Sequence, residues 1–305
     1  MYDTLRGNMS IAHLSNQEKY AKASLLNKVT EVYNDFGYSI GGNYNGVQIK
    51  INENKIHLQG SLSKFALGDN IQTLTRRTTL DAINSLSEAF KMDFGDMNLT
   101  RIDISNNLIM KHPPEVYWDK LGELKYFNKV AHKNGVYFTK ESEQLLLYGK
   151  LNEYQAKGLE IPSIYKGLNM LRYEYRLTGR ICKTLNKNEV KIMDLYNEQF
   201  YINLLKLWQK KYFEIRKINN ITMKPTKSAK QLEQIFASMF IQSMGQDKCL
   251  SMVKEWQKTN DLDKKSAYDM RTKIRSLNNL KGISEESQLI KELDSKIIDS
   301  ISHFR

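Results

Sequence analysis

The sequence predicts an α+β protein: an antiparallel sheet backed by two helices on one face, followed by an all-helical C-terminal domain. Three observations carry this. Up to about residue 180, runs with two-residue alternation mix with runs of three- and four-residue spacing, without the strict rhythm of a parallel βαβ sheet. Beyond Gly179 no convincing strand remains, and amphipathic helices are expected at about 188–218, 229–244, 247–258, 262–279 and 285–302, punctuated by Pro225, Gly245 and Gly282. The charge is also uneven. Residues 180–305 hold 24 Lys and Arg against 15 Asp and Glu, so +9 of the total +12 lies there. Two domains are therefore expected, 1–180 and 181–305.

Each element has its own signal. Ser15-Asn16-Gln17-Glu18 is a capping-box pattern, in which each end satisfies a backbone donor of the other, and it predicts a helix start. Leu25, Leu26, Val29, Val32, Tyr33 and Phe36 then recur at three- and four-residue steps, so this helix is expected to run to Gly37. Val47 to Ile51 and Ile56 to Ser61 read as a hairpin, with Ile49 and Ile51 on one face and His57 and Gln59 sharing another. Leu80, Ile83, Leu86 and Phe90 predict a second helix over about 71–92, capped at Asp69. Strands are expected at Leu99 to Met110, Val136 to Phe138, Leu145 to Lys150 and Met170 to Leu177, with Pro113-Pro114 leading into a short helix.

Composition narrows the partners. At +12 and a pI near 9.4 the chain favours a polyanion, because Lys and Arg gain affinity by displacing counterions from phosphates. Charge alone does not separate DNA from RNA or a membrane surface, and the helical lysines read equally as solvated faces. No apolar run approaches the ~20 residues needed to cross a bilayer. Cys182 and Cys249 are too few for a disulfide framework, and Met1-Tyr2-Asp3-Thr4 lacks the layout of a secretory signal. A soluble protein of a reducing cytosol, without a membrane partner, is expected.

Two strands display charge in an ordered way. In Thr100-Arg101-Ile102-Asp103-Ile104-Ser105 strict alternation buries Ile102 and Ile104 and leaves Arg101, Asp103 and Ser105 on the other face. Leu171 to Leu177 repeats the design, with Arg172, Glu174 and Arg176 on one face. Side by side, these strands would gather two carboxylates among arginines. Hard oxygen ligands of this kind suit Mg²⁺, and the arginines suit a phosphodiester. The same pattern also describes a salt-bridged sheet surface, which is common. Tyr148 and Lys150 are two residues apart around Gly149, so both can meet one phosphate. A phenol with a reference pKa near ~10 needs a nearby cation or metal to become a nucleophile. The chain has 17 tyrosines, and most tyrosines are packing residues.

The order of these motifs resembles the gene II/X family of filamentous-phage and plasmid rolling-circle initiators, which is similar to transfer-type plasmid initiators. The matching stretches are Gly60 to Gly68, with its Gly-Ser-x-x-Lys ending on Lys64, then Thr100 to Ser105, Leu146 to Glu153 and Leu171 to Arg176. The resemblance covers roughly residues 1–180. It implies Tyr148 as the nucleophile with Lys150 beside it, and Asp103 and Glu174 as ligands of a divalent metal, Mg²⁺ or Mn²⁺. Arg101, Arg172, Arg176 and Lys64 are the candidate DNA contacts. His57 stands where the family carries a glutamate and is a candidate third ligand. The His-hydrophobic-His pair of the other large class of nickases is missing, since His13, His57, His112, His132 and His303 are all isolated.

The implied activity is site-specific nicking and rejoining of single-stranded or supercoiled origin DNA through a 5′-phosphotyrosyl intermediate, with host polymerase and helicase as partners and an oligomer as one assembly. No Gly-x-x-x-x-Gly-Lys-Ser/Thr loop is present. A mobilisation relaxase would use the same chemistry on a transfer origin. A non-catalytic origin-binding protein would need only the basic helices.

Overall fold

The computed structural model describes all residues except 35–36, 222–225, 227, 278–283 and 305. Phe36, Pro225 and Gly282, used above to place helix ends, lie outside the described residues. The chain divides into two compact units. One holds residues 1–114, 126–213 and 297–305, and the other holds 115–125 and 214–296.

The first unit is built on a ten-stranded sheet. In chain order its elements begin with β1 (Tyr2–Ser10), α1 (Asn16–Ala23), β2 (Asn27–Asn34), β3 (Gly37–Tyr44), β4 (Val47–Asn52), β5 (Lys55–Ser61), α2 (Leu62–Leu67) and α3 (Arg76–Phe90). After β6 (Asn98–Met110), α4 (Glu115–Trp118) belongs to the second unit. The first then resumes with β7 (Asn128–His132), β8 (Gly135–Lys140), β9 (Glu143–Gly149), α5 (Lys150–Ala156), β10 (Asn169–Leu177), α6 (Ile181–Leu185) and α7 (Glu198–Phe213). The strand order is β2-β3-β4-β5-β1-β6-β10-β9-β8-β7. Every pairing is antiparallel. Two meanders, β2 to β5 and β7 to β10, thus flank a central pair formed by β1 and β6.

Alternation decides what each face does. Ile49, Ile51, Ile56 and Leu58 in the first meander, Ile102 and Ile104 in β6, and Tyr173 and Tyr175 in β10 are buried on one face. Two helices back that face, the number the sequence predicts, but the second is α7, from the stretch 188–218 assigned to the C-terminal domain, and not the helix expected from Ser15 to Gly37. From α3 come Ile83, Leu86 and Phe90, and from α7 come Leu204, Leu205 and Trp208, all buried. The Tyr2 hydroxyl donates to the Leu195 carbonyl at 3.0 Å, and the Tyr173 hydroxyl to the Trp208 carbonyl at 3.1 Å. This unit therefore runs past residue 180 through α6 and α7, and removing α7 would uncover Tyr2 and Tyr173.

Three expectations change. The capping box at Ser15 is present, with the Ser15 amide donating to Glu18 Oε2 at 2.8 Å, but the helix stops at Ala23 and residues 27–34 form β2. The helical spacing of Val29, Val32 and Tyr33 is fortuitous. These β-branched and aromatic side chains, with Thr30 between them, favour an extended strand, and on this edge strand all three are exposed. The second helix begins at Arg76, not near Ile71. Its cap is a Thr75–Thr78 box, whereas Asp69 accepts from the Ile71 amide at 2.9 Å in a local turn. Lys150 opens α5 rather than ending β9. Strands β1, β3 and β7 add to the expected set. Gly37, Gly41 and Gly42 dilute the pattern of β3, and β7 is almost wholly exposed.

The second unit contains α4, α8 (Ala229–Met244), α9 (Gln246–Lys258), α10 (Lys264–Leu277), the greater part of α11 (Gln288–Phe304), and a ribbon of two-residue strands, β11 (Asn220–Ile221) and β12 (Ser284–Glu285). Four of the five predicted C-terminal helices are thus present here; the first, 188–218, is represented by α7 of the other unit, and the ribbon is strand where none was expected. Ile241, Cys249 and Leu277 pack together, and the Ser238 hydroxyl donates to the Leu277 carbonyl at 2.7 Å. Residues 115–125 join this unit through side chains the sequence pattern does not flag. The Tyr117 hydroxyl donates to Glu292 at 2.7 Å, and Arg275 pairs with Glu123 at 3.0 Å.

Gly135 faces Tyr148 directly across β8 and β9. An added Cβ there would lie 2.6 Å from the Tyr148 Cβ and 2.5 Å from the Leu147 carbonyl oxygen. Gly135→Ala is expected to destabilise the protein by about 1–3 kcal/mol, because backbone must move to make room. Urea unfolding measures this, and an unchanged midpoint would contradict the close packing at that position.

Candidate active site

The polar face of β1, β6, β10 and β9 gathers most of the residues singled out above. Register is the cause: Asp103 lies opposite Arg176, Ser105 opposite Glu174, and Arg172 opposite both Asn107 and Tyr148. The alternation seen in each strand alone therefore converges into one cluster. Its centre is Arg172, which is fully buried. Arg172 Nε donates to Glu174 Oε1 at 2.6 Å, and Nη2 to Asp3 Oδ2 at 2.5 Å and to Ser105 Oγ at 2.7 Å. Nη1 donates to the Asn70 carbonyl at 3.0 Å and to Asn107 Oδ1 at 3.1 Å.

Glu174 holds the tyrosine. The Tyr148 hydroxyl donates to Glu174 Oε1 at 2.7 Å, while Arg176 donates twice to Oε2, at 2.8 Å from Nε and 2.6 Å from Nη2. Asp103 is gripped bidentately by Arg101, at 2.8 and 2.6 Å, and lies 3.5 Å from Arg176 Nε. Three carboxylates therefore balance three guanidiniums. Arg101 and Arg176 keep about a quarter of their side-chain surface open to solvent, and Arg172 keeps none.

Lys150 joins through Asn70. Its Nζ donates to Asn70 Oδ1 at 2.9 Å and to Glu153 Oε2 at 2.7 Å, and the Tyr154 hydroxyl shares Asn70 Oδ1 at 3.3 Å. Asp3 and Asn70 were missed in the sequence. Asp3 sits in β1, whose Thr4-Leu5-Arg6 alternation was a readable strand signal. It accepts from Ser61, the residue that caps α2, and from Asn70 Nδ2 at 3.4 Å. Asn70 lies in the loop Gly68-Asp69-Asn70, whose composition marks a turn but not its target.

Two candidates stand apart. His57 is on β5, opposite Asn8 of β1 and Lys50 of β4, and is not a partner of Asp103 or Glu174. Partial burial and the ammonium groups of Lys55 and Lys50 lower its pKa. Lys64 gives its amide to the Ser61 cap at 3.2 Å and sits half-buried on α2, with its side chain outside the cluster's hydrogen bonds.

Burial and charge shift the titrating groups. Burial, then the Glu174 charge, hold the Tyr148 hydroxyl well above the ordinary tyrosine range. Burial would raise Glu174, but Arg172 and Arg176 outweigh it and hold the carboxyl at about 2. Asp103 is raised to about 6, chiefly by burial, against the pull of Arg101 and Arg176. Lys150 is lowered to about 8 by burial and by Arg172, with Glu153 opposing. The site thus keeps Tyr148 protonated and Glu174 ionised.

A divalent ion was expected at Asp103 and Glu174. All four of their oxygens already accept from guanidinium or phenol donors at 2.8 Å or less. Among the described residues no group of three or more His, Cys, Asp or Glu side chains comes together where a metal could sit. With three guanidiniums interleaved, the residues in this arrangement do not fit a resident divalent ion.

The phage family model for the N-terminal part of the gene II-type replication-associated protein matches residues 1–211, and the chain belongs to that family. Membership implies a rolling-circle replication initiator, and hence a DNA-binding protein. No curated protein matches the chain. No helix among the described residues is long and apolar enough to cross a membrane.

The lowered pKa of Lys150 has a stability consequence. Between about 8 and its ordinary value of 10.5, the unfolded chain binds a proton at Lys150 that the folded chain does not. Lys150 therefore weakens the fold at and below pH 8, and the penalty is relieved as pH rises towards 10.5. Lys150→Met is expected to gain most in urea midpoint over the wild type near pH 7, with the gain shrinking by pH 10. A gain that grows with pH would reverse the sign and contradict the assignment.

Proposed function

We propose that this initiator nicks and rejoins origin DNA with Tyr148 as the nucleophile. The observation that carries the reading is the hydrogen bond from the Tyr148 hydroxyl to Glu174 Oε1 at 2.7 Å, within a cluster of three arginines. Tyr148 Oη attacks phosphorus, the bond to the 3′-oxygen breaks, and a 5′-phosphotyrosyl ester forms beside a free 3′-hydroxyl. The phenol proton passes to Glu174. The leaving 3′-oxygen takes a proton from Lys150 or from water.

Glu174 at about 2 is a poor base at rest. A phosphate changes this by competing for Arg176, the more exposed of the two guanidiniums on Glu174. As Arg176 turns to the phosphate, Glu174 loses two charge-assisted donors and its basicity rises. Arg172 stays buried and fixes the carboxylate. The same contacts stabilise charge on the transferring phosphoryl group. The free 3′-hydroxyl primes a host polymerase behind a host helicase, and the covalent link keeps the phosphodiester energy for a closing transfer.

No step here is routed through a metal. Magnesium or manganese at Asp103 would require Arg101 to release it, so comparing nicking in chelator with nicking in added Mg²⁺ or Mn²⁺ decides whether that exchange occurs. We further propose that residues 180–305, with their +9 charge, contribute to the grip on DNA. A mobilisation relaxase would share this geometry, and no specific observation favours it.

The test is covalent capture of end-labelled single-stranded origin DNA. Tyr148→Phe removes one oxygen and one hydrogen bond, worth ~1 kcal/mol, and is expected to keep the fold and DNA binding. Both nicking and the covalent adduct are expected to vanish. Undiminished adduct in that variant would sink the assignment. Glu174→Gln is expected to slow nicking by about 10²-fold or more through loss of the base.

A further inference from the structure

The meander β2 to β5, together with β1, carries a second polar surface on the same face as the tyrosine cluster. Across it runs an open trough of about 1030 Å³. Three cations line it, Arg6, Lys28 and Lys50, with the carboxamides of Asn43, Gln48 and Gln59 between them. Among the described residues that line it there is no carboxylate and no Phe, Tyr or Trp. Register explains the grouping, since Arg6 lies opposite Gln59, Gln59 opposite Gln48, and Gln48 opposite Asn43.

Backbone details point the same way. Lys28 sits at φ 53, in the left-handed region, where the β2–β3 register shifts between Asn27 and Thr30. A lysine held in that conformation is a local cost that a bulge incurs when it re-aims a side chain. Gly41 leaves the floor open, because an added Cβ would meet only the Ile49 and Thr30 carbonyls, each at 3.9 Å.

We propose that this trough holds duplex DNA beside the tyrosine cluster, with Arg6, Lys28 and Lys50 on phosphates and Asn43, Gln48 and Gln59 towards base edges. Cations without carboxylates fit a polyanion. The missing aromatic side chains argue against a stacking platform for single strands, while carboxamides are the groups that pair with base edges in a duplex groove. Five strands at ~4.8 Å spacing make a floor ~19 Å across, wide enough for a duplex rather than one strand. The position of the stem follows from Arg6, which lies opposite Arg101 at the border of the tyrosine cluster. Strands β1 and β9 are three spacings apart, ~14 Å, which at ~3.4 Å per base pair sets the stem about four nucleotides from the nick.

This inference rests on the nicking reading only for its position, and binding alone tests it. Full-length protein is titrated onto a mixed-sequence DNA hairpin with a stem of about ten base pairs, and onto a single strand of equal nucleotide length, across a salt series. The variant Arg6→Gln/Lys28→Gly/Lys50→Gln is expected to bind the hairpin roughly tenfold or more weakly. Its log–log salt slope should fall by about 2–3, with a much smaller change for the single strand. Lys28→Gly suits the left-handed backbone, so it is expected to leave the melting temperature unchanged or raised. Gly41→Glu places a carboxylate on the floor and is expected to weaken hairpin binding by itself. Wild-type hairpin affinity and slope in both variants would overturn the proposal, as would equal weakening on hairpin and single strand. Absence of a covalent adduct from the wild type would sink the nicking reading and leave this result standing.

Discussion

Arg172 has no access to water, and burying an unpaired guanidinium would cost several kcal/mol. The fold meets that cost with partners from four places in the chain. Asp3 comes from β1, Ser105 and Asn107 from β6, Glu174 from β10 itself, and the Asn70 carbonyl from the loop before α3. These partners must arrive together, because losing one leaves a buried charge uncompensated, a change that typically costs 3–5 kcal/mol. The two strands that meet β1, the bulges within its pairing to β6, and the turn that presents Asn70 all serve the geometry of this one side chain.

That constraint also sets the chemistry. Arg172 fixes Glu174 from the buried side, and Glu174 in turn fixes the Tyr148 hydroxyl. Lys150 reaches the same network through Asn70, whose carbonyl serves Arg172 and whose side chain serves Lys150. A chain of directed hydrogen bonds thus runs from β1 to α5, and each member has a neighbour that locks its rotamer. Preorganisation of this kind suits the nucleophile proposed at Tyr148, and a tightly packed apolar layer beneath it, including Tyr173, Trp208 and Leu177, keeps the strands from shifting.

How much of this could be read from the sequence depended on distance along the chain. Within β6 and β10, two-residue alternation put Arg101 with Asp103 and Arg172 with Glu174 and Arg176, and the structure keeps those groupings because a strand has one repeat. Asp3 and Asn70 escaped because they enter from other elements, and no local pattern records where a loop carbonyl will point. The stretch from Leu25 to Tyr33 misled for the opposite reason. Its spacing fits a helix as well as a strand on paper, and only the β-branched content and the edge position, where Val29, Val32 and Tyr33 stay exposed, decide between them. Residues 115–125 escaped for a third reason, since their partners Arg275 and Glu292 lie over 150 residues away.

On the proposed reading, the charge balance of the cluster accounts for restraint as well as reactivity. A phenol held far above its ordinary pKa beside an ionised carboxylate is a donor, and it stays a donor while Arg176 and Arg172 occupy Glu174. Water competes weakly for those guanidiniums, because a carboxylate bonded by charged donors at 2.6–2.8 Å gains little from solvent. A phosphodiester is different. It brings a negative charge and a planar pair of acceptors that match the guanidinium fork, so it can draw Arg176 away without leaving that charge unpaired. The exposure of Arg176, against the complete burial of Arg172, makes one guanidinium exchangeable and the other fixed. The base is thereby released by the arrival of the group that the tyrosine attacks, and a tyrosine on this face has no means of reacting until DNA is in place.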